Sequence, residues 1–357
     1  LPDPFLSIDG SRITHIEQWP CRRAEISQQV QAYMLGVKPL DKVVVTGNYE
    51  QEQIQVTVKQ NDKTLSFAAQ LTLPTNGKAP YPAMIGIGRV SLDNEALLKQ
   101  GVAIINFPNN ELAEQQNGGS RGKGKFYEFY GQEHSAGALM AWSWGVSRLI
   151  DALELTQNSP INVNKLAITG CSRNGKGALV AGAFDQRIAL TIPQESGAGG
   201  SANWRISDVQ LAAGTNVQTL RQIVTENVWF TANFADFSES VTLLPFDQHQ
   251  VLSLVAPRGL LIIDNAIDWL GIESSYLNAL AAKTVWQALG QADFMGVSQT
   301  QEHQHCQQPE SQQVEINAFV QQFLFDSHSA DTHVQRNENA LNEDLNQWIK
   351  WSTPVLK

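Results

Sequence analysis

Apolar and polar residues alternate over the segment from Asp41 to Pro74. The apolar positions are Val43, Val45, Ile54, Val56, Val58, Leu65, Phe67, Leu71 and Leu73. A period of two puts apolar side chains on one face of a β-strand, and turn-forming pairs at Gly47-Asn48 and Asn61-Asp62 divide the segment. The pattern predicts antiparallel strands with one face buried.

The pattern then changes to short continuous apolar runs at residues 83–87, 102–107, 165–169, 188–192 and 259–263. Runs of this kind are typical of strands covered on both faces, as in parallel sheets. Helix-like stretches lie among them and after them at 135–153, 177–184, 277–289 and 314–325, with a further strand at 294–298. We therefore predict an α/β protein, a three-layer αβα sandwich with a mostly parallel sheet.

No Pro/Ser-rich linker, charge block or fixed-period repeat divides the 357 residues, so we expect one domain over 1–357. Residues 326–357 are mostly polar, and Trp348, Ile349 and Trp351 form an apolar cluster within them. This composition predicts a C-terminal surface arm that is anchored to the domain by a small apolar tip.

The formal charge of -10 and the pI near 5.2 argue against nucleic acid or an anionic membrane as a partner. A local basic site stays compatible with a net acidic protein. No apolar run approaches the roughly 20 residues that span a bilayer. The three cysteines, Cys21, Cys171 and Cys306, fit no zinc-binding spacing.

Candidate chemistry begins at residues 167–178, where an apolar strand breaks at Gly170 and Ser172 is followed by small residues that can open a helix. This is the pattern of a nucleophile elbow, which exposes a serine hydroxyl beside a general base. The second glycine, Gly175, stands one position later than in G-x-S-x-G because Asn174 is inserted. An ordinary glycine-rich turn for packing or phosphate binding is the alternative.

A serine nucleophile needs a base and an orienting acid, and α/β-hydrolases supply them in the order serine, acid, histidine. His303 and His305 lie in a loop near the C-terminus, where that order requires the base. As a metal pair they lack a placed third ligand. Glu195 and Asp264 each follow a predicted strand, and Asp264 has the more usual position for the acid. The residues alone leave both acids open.

The segment 170–176, Gly-Cys-Ser-Arg-Asn-Gly-Lys, resembles the signature of glucuronoyl esterases, carbohydrate esterase family 15, in which the second glycine is also late. The resemblance covers nearly the whole chain and is strongest to fungal-type members. Further matching segments are 2–5, 21–23, 120–122, 134–139, 187–200, 204–208, 225–227, 267–271 and 305–307.

The resemblance implies an α/β-hydrolase fold and assigns the catalytic roles. Ser172 is then the nucleophile, His305 the base and Glu195 the acid, with Asp264 as second choice. It further implies oxyanion stabilisation by Arg173 and sugar contacts by Lys176, Gln218, Glu226 and Trp269. It pairs Cys171 with Cys306 and leaves Cys21 without a visible partner, because Asn203 stands where fungal-type members carry a cysteine. We expect Cys21 to be free and buried, or to have a partner upstream of Leu1.

The implied reaction is hydrolysis of the ester between 4-O-methyl-D-glucuronic acid branches of glucuronoxylan and lignin alcohols, without metal or cofactor. A disulfide requires an oxidising compartment, so we expect a secreted, extracellular or periplasmic protein. We also expect the protein to be a monomer. Two alternatives stay open. One is an esterase for other carbohydrate esters, such as acetyl esters, and the other is a non-catalytic glycan-binding protein, which requires a broken triad.

Overall fold

A computed structural model describes all of residues 1–357. Its strands are β1 Val44–Glu50, β2 Gln53–Gln60, β3 Lys63–Thr72, β4 Tyr81–Ile87, β5 Ala103–Phe107, β6 Ile161–Cys171, β7 Ile188–Gln194, β8 Gly259–Asp264, β9 Met295–Gln299 and β10 Gln335–Asn337. Its α-helices are α1 Trp19–Val30, α2 Asn94–Lys99, α3 Asn109–Leu112, α4 Lys125–Tyr130, α5 Ala138–Leu155, α6 Arg173–Phe184, α7 Trp204–Ala212, α8 Leu220–Glu226, α9 Gln248–Ser253, α10 Ile272–Ala288 and α11 Gln313–Phe325.

The strands form one ten-stranded sheet in the order β1-β2-β3-β5-β4-β6-β7-β8-β9-β10. β1, β2 and β3 pair antiparallel, and β3 joins β5 antiparallel, whereas the strands from β5 through β10 pair parallel to one another. The prediction of N-terminal antiparallel strands on a mostly parallel sheet is confirmed.

One turn in the antiparallel region lies elsewhere than predicted. The chain reverses at Gln51 and Glu52, which have φ of 52° and 60°, and Gly47 lies inside β1 instead. A Cβ at Gly47 would lie 2.2 Å from the carbonyl oxygen of Ala152 in α5. This glycine therefore permits the close approach of helix and strand, and it is not a turn residue. The predicted turn at Asn61-Asp62 is present between β2 and β3.

Successive residues of each central strand face opposite layers of helices. In β6, Ile168 joins the larger hydrophobic core with side chains of α5, α6 and α10, whereas Ala167 joins the smaller core with side chains of α2 and α11. Both faces of the sheet are thus covered, which explains why these strands have continuous apolar sequences. The prediction of three layers is confirmed.

The register of the parallel strands aligns three polar residues at one edge of the sheet. Cys171 lies opposite Gln194, and Gln194 lies opposite Ile263. Ser172, Glu195 and Asp264 each occupy the next position, so all three leave the sheet at its carboxyl edge. In open α/β sheets this edge is where sites are built.

The C-terminal segment 326–357 is more than the predicted surface arm. It supplies β10, which pairs parallel with β9 at the end of the sheet. Trp351 is buried and stacks on His249 with ring centroids 5.6 Å apart. The sequence does not indicate β10, because this short edge strand is held by backbone hydrogen bonds and has few apolar side chains.

None of the helices combines the length and the apolar character that crossing a bilayer requires.

Candidate active site

Ser172 occupies a strained turn between β6 and α6. Its φ is 60° and its ψ is -127°, a conformation that L-residues rarely adopt. Two hydrogen bonds fix this backbone, since Ser172 N–H donates to the Gln194 carbonyl at 2.9 Å and the Ser172 carbonyl accepts from Lys176 N–H at 3.0 Å. A sharp strand-to-helix turn with a strained serine is the conformation of a nucleophile elbow.

The late glycine of the motif has a steric cause. A Cβ at Gly175 would lie 2.7 Å from the Gln194 carbonyl oxygen and 2.9 Å from the Gly170 carbonyl oxygen. The first turn of α6 therefore packs directly on the backbone at the ends of β6 and β7. Any side chain at Gly175 would push the helix away and shift Ser172.

Glu195 contacts His305 directly. Glu195 is 1% exposed, and its Oε2 accepts from His305 Nδ1 at 2.6 Å and from Cys306 N–H at 2.8 Å. Because a carboxylate only accepts, Nδ1 carries the proton and Nε2 presents its lone pair. Nε2 is thus the nitrogen available to act as a base.

A disulfide links the residue before Ser172 to the residue after His305. Cys171 and Cys306 are bonded with their Cα atoms 5.6 Å apart. The turn between β6 and α6 and the loop after β9 are thus covalently joined beside Ser172 and His305. Cys21, in contrast, is a free thiol and is exposed, not buried.

Asp264 lies at the same edge but makes different contacts. Its Oδ2 accepts from the Ser275 hydroxyl, and its Oδ1 is buried without a hydrogen-bond partner. Burial raises the pKa of Asp264 to about 7, with the nearby charge of Glu195 acting in the same direction. Of the two candidate acids, only Glu195 is hydrogen-bonded to His305.

Two cations of α6 lie over one buried indole, that of Trp229. The Arg173 guanidinium is 5.2 Å and the Lys176 ammonium 5.4 Å from the ring centroid. The indole N–H donates to Gln115 Oε1 at 2.8 Å. Sequence reasoning missed Trp229, although it lies just after the matching segment 225–227, because a tryptophan in an apolar stretch is typical of a core.

Lys176 is 4% exposed, and its ammonium donates to the Ser196 carbonyl at 2.7 Å. Burial lowers the pKa of Lys176 to about 8, while the charge of Glu226 opposes this shift. Glu226 Oε1 also lies 3.9 Å from the guanidinium of Arg173. A partly compensated cation of this kind can bind hydroxyl or carbonyl oxygens.

The other residues assigned to sugar contacts are connected to these. Gln218 Nε2 donates to Glu226 Oε2 at 3.1 Å, and Gln218 N–H donates to the Trp269 carbonyl at 3.1 Å. The indole of Trp269 meets the imidazole of His305 edge-on, with centroids 5.0 Å apart. Contacts therefore connect the predicted sugar-contact residues to one another, from α6 through Glu226, Gln218 and Trp269 to His305.

A cavity of about 500 Å³ opens beside Arg173. Its lining carries only amide, carboxylate and guanidinium groups, from Asn110, Glu111, Glu114, Gln115, Gln116 and Arg173. Such a lining favours a hydroxyl-rich ligand over an apolar one.

The ligand atoms of Cys171, Glu195, His305 and Cys306 lie within 4.8 Å of one another. Metal sites bind thiolates, and these two sulfurs are joined in a disulfide. His303 does not join the cluster, since its Nδ1 lies 3.4 Å from the Asn265 amide and 3.1 Å from the Gln304 carbonyl. The remaining pair, Glu195 and His305, is committed to one mutual hydrogen bond.

Comparison with known proteins identifies the family. The model for fungal glucuronyl esterases matches residues 56–290. The chain is 48% identical over 356 residues to a 4-O-methyl-glucuronoyl methylesterase of Hypocrea jecorina, covering 100% of this chain and 76% of that protein.

Solved structures agree. The glucuronoyl esterase catalytic domain from Hypocrea jecorina superposes with a TM-score of 0.96 at 48% identity, covering 100% of this chain and 97% of that one. A mutant of the Sporotrichum thermophile glucuronoyl esterase, in complex with methyl 4-O-methyl-β-D-glucopyranuronate, superposes with a TM-score of 0.95 at 44% identity, covering 100% and 96%. The predicted α/β-hydrolase fold and the predicted family are both confirmed, and this chain belongs to the fungal glucuronyl esterases, which are carboxylic ester hydrolases.

Proposed function

We propose that this chain hydrolyses the ester between 4-O-methyl-D-glucuronic acid branches of glucuronoxylan and lignin alcohols, with Ser172, His305 and Glu195 as its triad. The observation that carries the proposal is the 2.6 Å contact of Glu195 with His305 Nδ1, in a loop bonded through Cys306 to the residue before Ser172. The proposed nucleophile, acid and base thus all lie within the chain segment that the Cys171–Cys306 disulfide closes into a loop.

In the first half-reaction, His305 Nε2 takes the hydroxyl proton of Ser172 as Oγ attacks the uronoyl carbonyl carbon. The carbonyl π electrons move to oxygen, and a tetrahedral oxyanion forms. The oxyanion accepts from the first N–H groups of α6, which have no acceptor within the helix, and from the Arg173 guanidinium. Collapse breaks the ester C–O bond, and the alcohol leaves with the proton from His305.

In the second half-reaction, water attacks the acyl-enzyme. His305 takes a proton from water, the tetrahedral intermediate collapses, and Ser172 Oγ recovers its hydrogen as the uronic acid is released. Glu195 stabilises the imidazolium in both halves and holds its tautomer. Its second oxygen accepts from Gln194 Nε2 at 3.4 Å, which keeps the carboxylate oriented.

The sugar is bound through its hydroxyl groups and one face of its ring. Lys176, Glu226 and Gln218 supply charged and amide partners, and Trp269 offers an apolar surface for the ring and its methoxy group. The complex of the Sporotrichum thermophile enzyme with a methyl 4-O-methyl-glucopyranuronate supports this choice of sugar. The all-polar cavity beside Arg173 supports a carbohydrate substrate over a small acetyl ester.

The test is a comparison of kcat/KM for benzyl glucuronate, its 4-O-methyl form, benzyl galacturonate and a simple acetate ester. We expect a preference of about tenfold or more for the glucuronates, because galacturonate inverts the C4 hydroxyl and leaves polar groups of the site unpaired. A methyl ester of the same acid isolates the contribution of the aromatic alcohol. Ser172→Ala measures the background rate.

Two outcomes would replace the proposal. Equal kcat/KM for the acetate and the benzyl glucuronate would indicate a general carbohydrate esterase. Binding of glucuronoxylan without hydrolysis of any ester would indicate a glycan-binding protein.

The same proposal places the protein outside the reducing cytosol. A Cys171–Cys306 bond persists in an oxidising compartment, and the polymeric substrate lies outside the cell. Peptide mapping without reduction should recover the two cysteines as one linked pair, and recovery of two free thiols after oxidising purification would argue against export.

A further inference from the structure

A second cavity lies far from Ser172, at the opposite edge of the sheet. It has a volume of about 250 Å³ and opens between α1, the end of α6 and the turn before β7. Gln186 on its wall precedes β7, whereas Glu195 follows that strand. Seven residues at about 3.3 Å each separate the two edges by roughly 20 Å. The cavity and the ester site are therefore too far apart for one sugar unit to contact both.

The charged groups that line this cavity are all cationic, in a chain whose net charge is -10. Arg23 and Lys38 line it, and no carboxylate side chain does. Neighbouring Arg22 donates to the Pro4 carbonyl and pairs with Glu25, whereas the half-buried guanidinium of Arg23 has neither an ion pair nor a hydrogen bond. Partial burial lowers the pKa of Arg23, and an anion in the cavity would stabilise its charge.

Two other cations have unused donors close by. Lys38 donates to the Ser147 hydroxyl and the Phe184 carbonyl, which uses two of the three N–H bonds of an ammonium. Arg258 keeps a buried Nε without a partner. Burial lowers the pKa of Arg258 to about 10, and the charge of Arg23 adds to that effect, whereas the charge of Asp185 opposes it. The guanidinium groups of Arg23 and Arg258 are therefore close enough to repel each other, and Asp185 compensates Arg258 only in part.

The rest of the lining narrows the ligand class. Ser27, Gln31 and Gln186 offer hydroxyl and amide groups, whereas Leu40 and Phe184 offer apolar surface. A guanidinium binds a carboxylate through two parallel hydrogen bonds, hydroxyl and amide groups bind sugar hydroxyls, and apolar walls pack against a pyranose ring. The volume falls below the roughly 300–1,000 Å³ of drug-sized sites, which suits one sugar unit.

We propose that the Arg23 cavity is a second binding site, for the free carboxylate of a single sugar acid. The ester hydrolysis proposed above releases a carboxylate of this class, so a link to the substrate polymer rests on that proposed function. Binding of a sugar acid at Arg23 does not depend on it, because the ligand carries no ester and the site has no contact with Ser172.

The free thiol of Cys21 offers a local reporter, since it is exposed on α1 two residues before Arg23. A fluorescent label on Cys21 is titrated with D-glucuronate, D-glucose and sulfate. We expect saturation with glucuronate and no response to glucose. Arg23→Gln should weaken glucuronate binding by about tenfold or more, the usual effect of losing a charged hydrogen-bonded pair.

Lys78→Gln is the matched control, because it removes one positive charge from an exposed residue outside the cavity. It should bind glucuronate like the wild type. Arg23→Gln should also hydrolyse benzyl glucuronate at the wild-type rate, so a failure of the ester proposal and a failure of this one are distinguishable.

Calorimetry measures glucuronate binding to unlabelled protein, because a label on Cys21 could itself block the cavity. If neither the label nor calorimetry detects glucuronate binding that Arg23→Gln weakens, the proposal is wrong. An equal response to sulfate and glucuronate would overturn the assignment to a sugar acid and leave a general oxyanion site.

Discussion

The antiparallel strands β1–β3 and the carboxyl edge of β6–β9 both adjoin non-glycine residues with positive φ, but in opposite settings. In the antiparallel region these residues are exposed and reverse the chain, at Gln51, Glu52 and Asn61. At the carboxyl edge they are buried or half-buried and belong to the candidate site, at Ser172, Glu195 and Cys306. Strain in the first region serves chain direction, and strain in the second serves the placement of chemical groups.

The two regions should therefore respond differently to substitution. Changes at the carboxyl edge should lower the rate of ester hydrolysis while the fold persists. Changes in the antiparallel strands should lower the free energy of unfolding while the rate persists.

Ser172→Ala should have the largest effect on the rate. Loss of the nucleophile should lower kcat for benzyl glucuronate by roughly 10³-fold or more, because little catalysis survives without a covalent step. Thermal unfolding followed by circular dichroism should be close to the wild type. Full activity in this variant would remove Ser172 from the mechanism.

Glu195→Ala and Asp264→Ala separate the two buried acids of the carboxyl edge. We expect a loss of about 10³-fold or more for Glu195→Ala, since an orienting acid fixes the histidine tautomer and stabilises its cation. Asp264→Ala should cost about tenfold or less, because Asp264 bonds to Ser275 and not to His305. The reverse order in steady-state kinetics would make Asp264 the triad acid.

Trp229→Leu removes the ring under Arg173 and Lys176. The ring holds both cations in place through contacts of about 1 kcal/mol each. Because these cations are proposed to contact the oxyanion and the sugar, their displacement should lower kcat/KM by roughly tenfold. Trp229→Phe keeps a ring but loses the hydrogen bond to Gln115, so its kcat/KM should lie between those of the wild type and Trp229→Leu. In an Arg173→Gln background the effect of Trp229→Leu should shrink, and an undiminished effect would mean that Trp229 acts through packing alone.

The lowered pKa of Lys176 predicts a change in substrate affinity near pH 8. Below about pH 8 the ammonium is charged, and above it the amine is neutral. If Lys176 contacts the sugar as proposed, its hydrogen bond to a sugar hydroxyl should be stronger in the charged form. KM for benzyl glucuronate should therefore rise a few-fold as pH rises through 8. Lys176→Met should have a higher KM with no inflection there, and an inflection that persists would belong to another group.

Gly47→Ala tests the antiparallel region. A Cβ would meet the Ala152 carbonyl at 2.2 Å, so the variant should lose about 1–3 kcal/mol in free energy of unfolding, as is usual for overpacking. Its kcat/KM should match the wild type. Gly118→Ala is the control, because a Cβ there meets no atom within 4 Å. A large rate loss in Gly47→Ala would blur the distinction between the two regions.

The strands and the family were readable from the sequence because their signals are local. Alternation marked β2 and β3, and continuous apolar runs marked the central strands. The motif around Ser172 was recognisable because its glycines are close to the serine in the sequence. The structure explains the late Gly175, because a side chain there would collide with the backbone of Gln194.

Other features depend on contacts between distant segments. Glu195 and Asp264 both follow strands that end at the same edge, so residue type and order cannot choose between them, and only the orientation of His305 does. Gly47 is explained by a helix about a hundred residues later, and β10 by hydrogen bonds to β9. The position of Trp229 in the candidate site becomes visible only in the fold, because α6 places Arg173 and Lys176 over its ring.

The Cys171–Cys306 bond also acts on the chain when it is not folded. The two cysteines are 135 residues apart, and a closed loop of that size lowers the entropy of the denatured ensemble by an amount worth about 5 kcal/mol in the chain-entropy model. The loop holds β7, β8 and β9, so these strands begin every refolding event with their ends already tethered. The disulfide next to Ser172 and His305 therefore also stabilises the folded protein against heat and partial unfolding, relative to a chain without it.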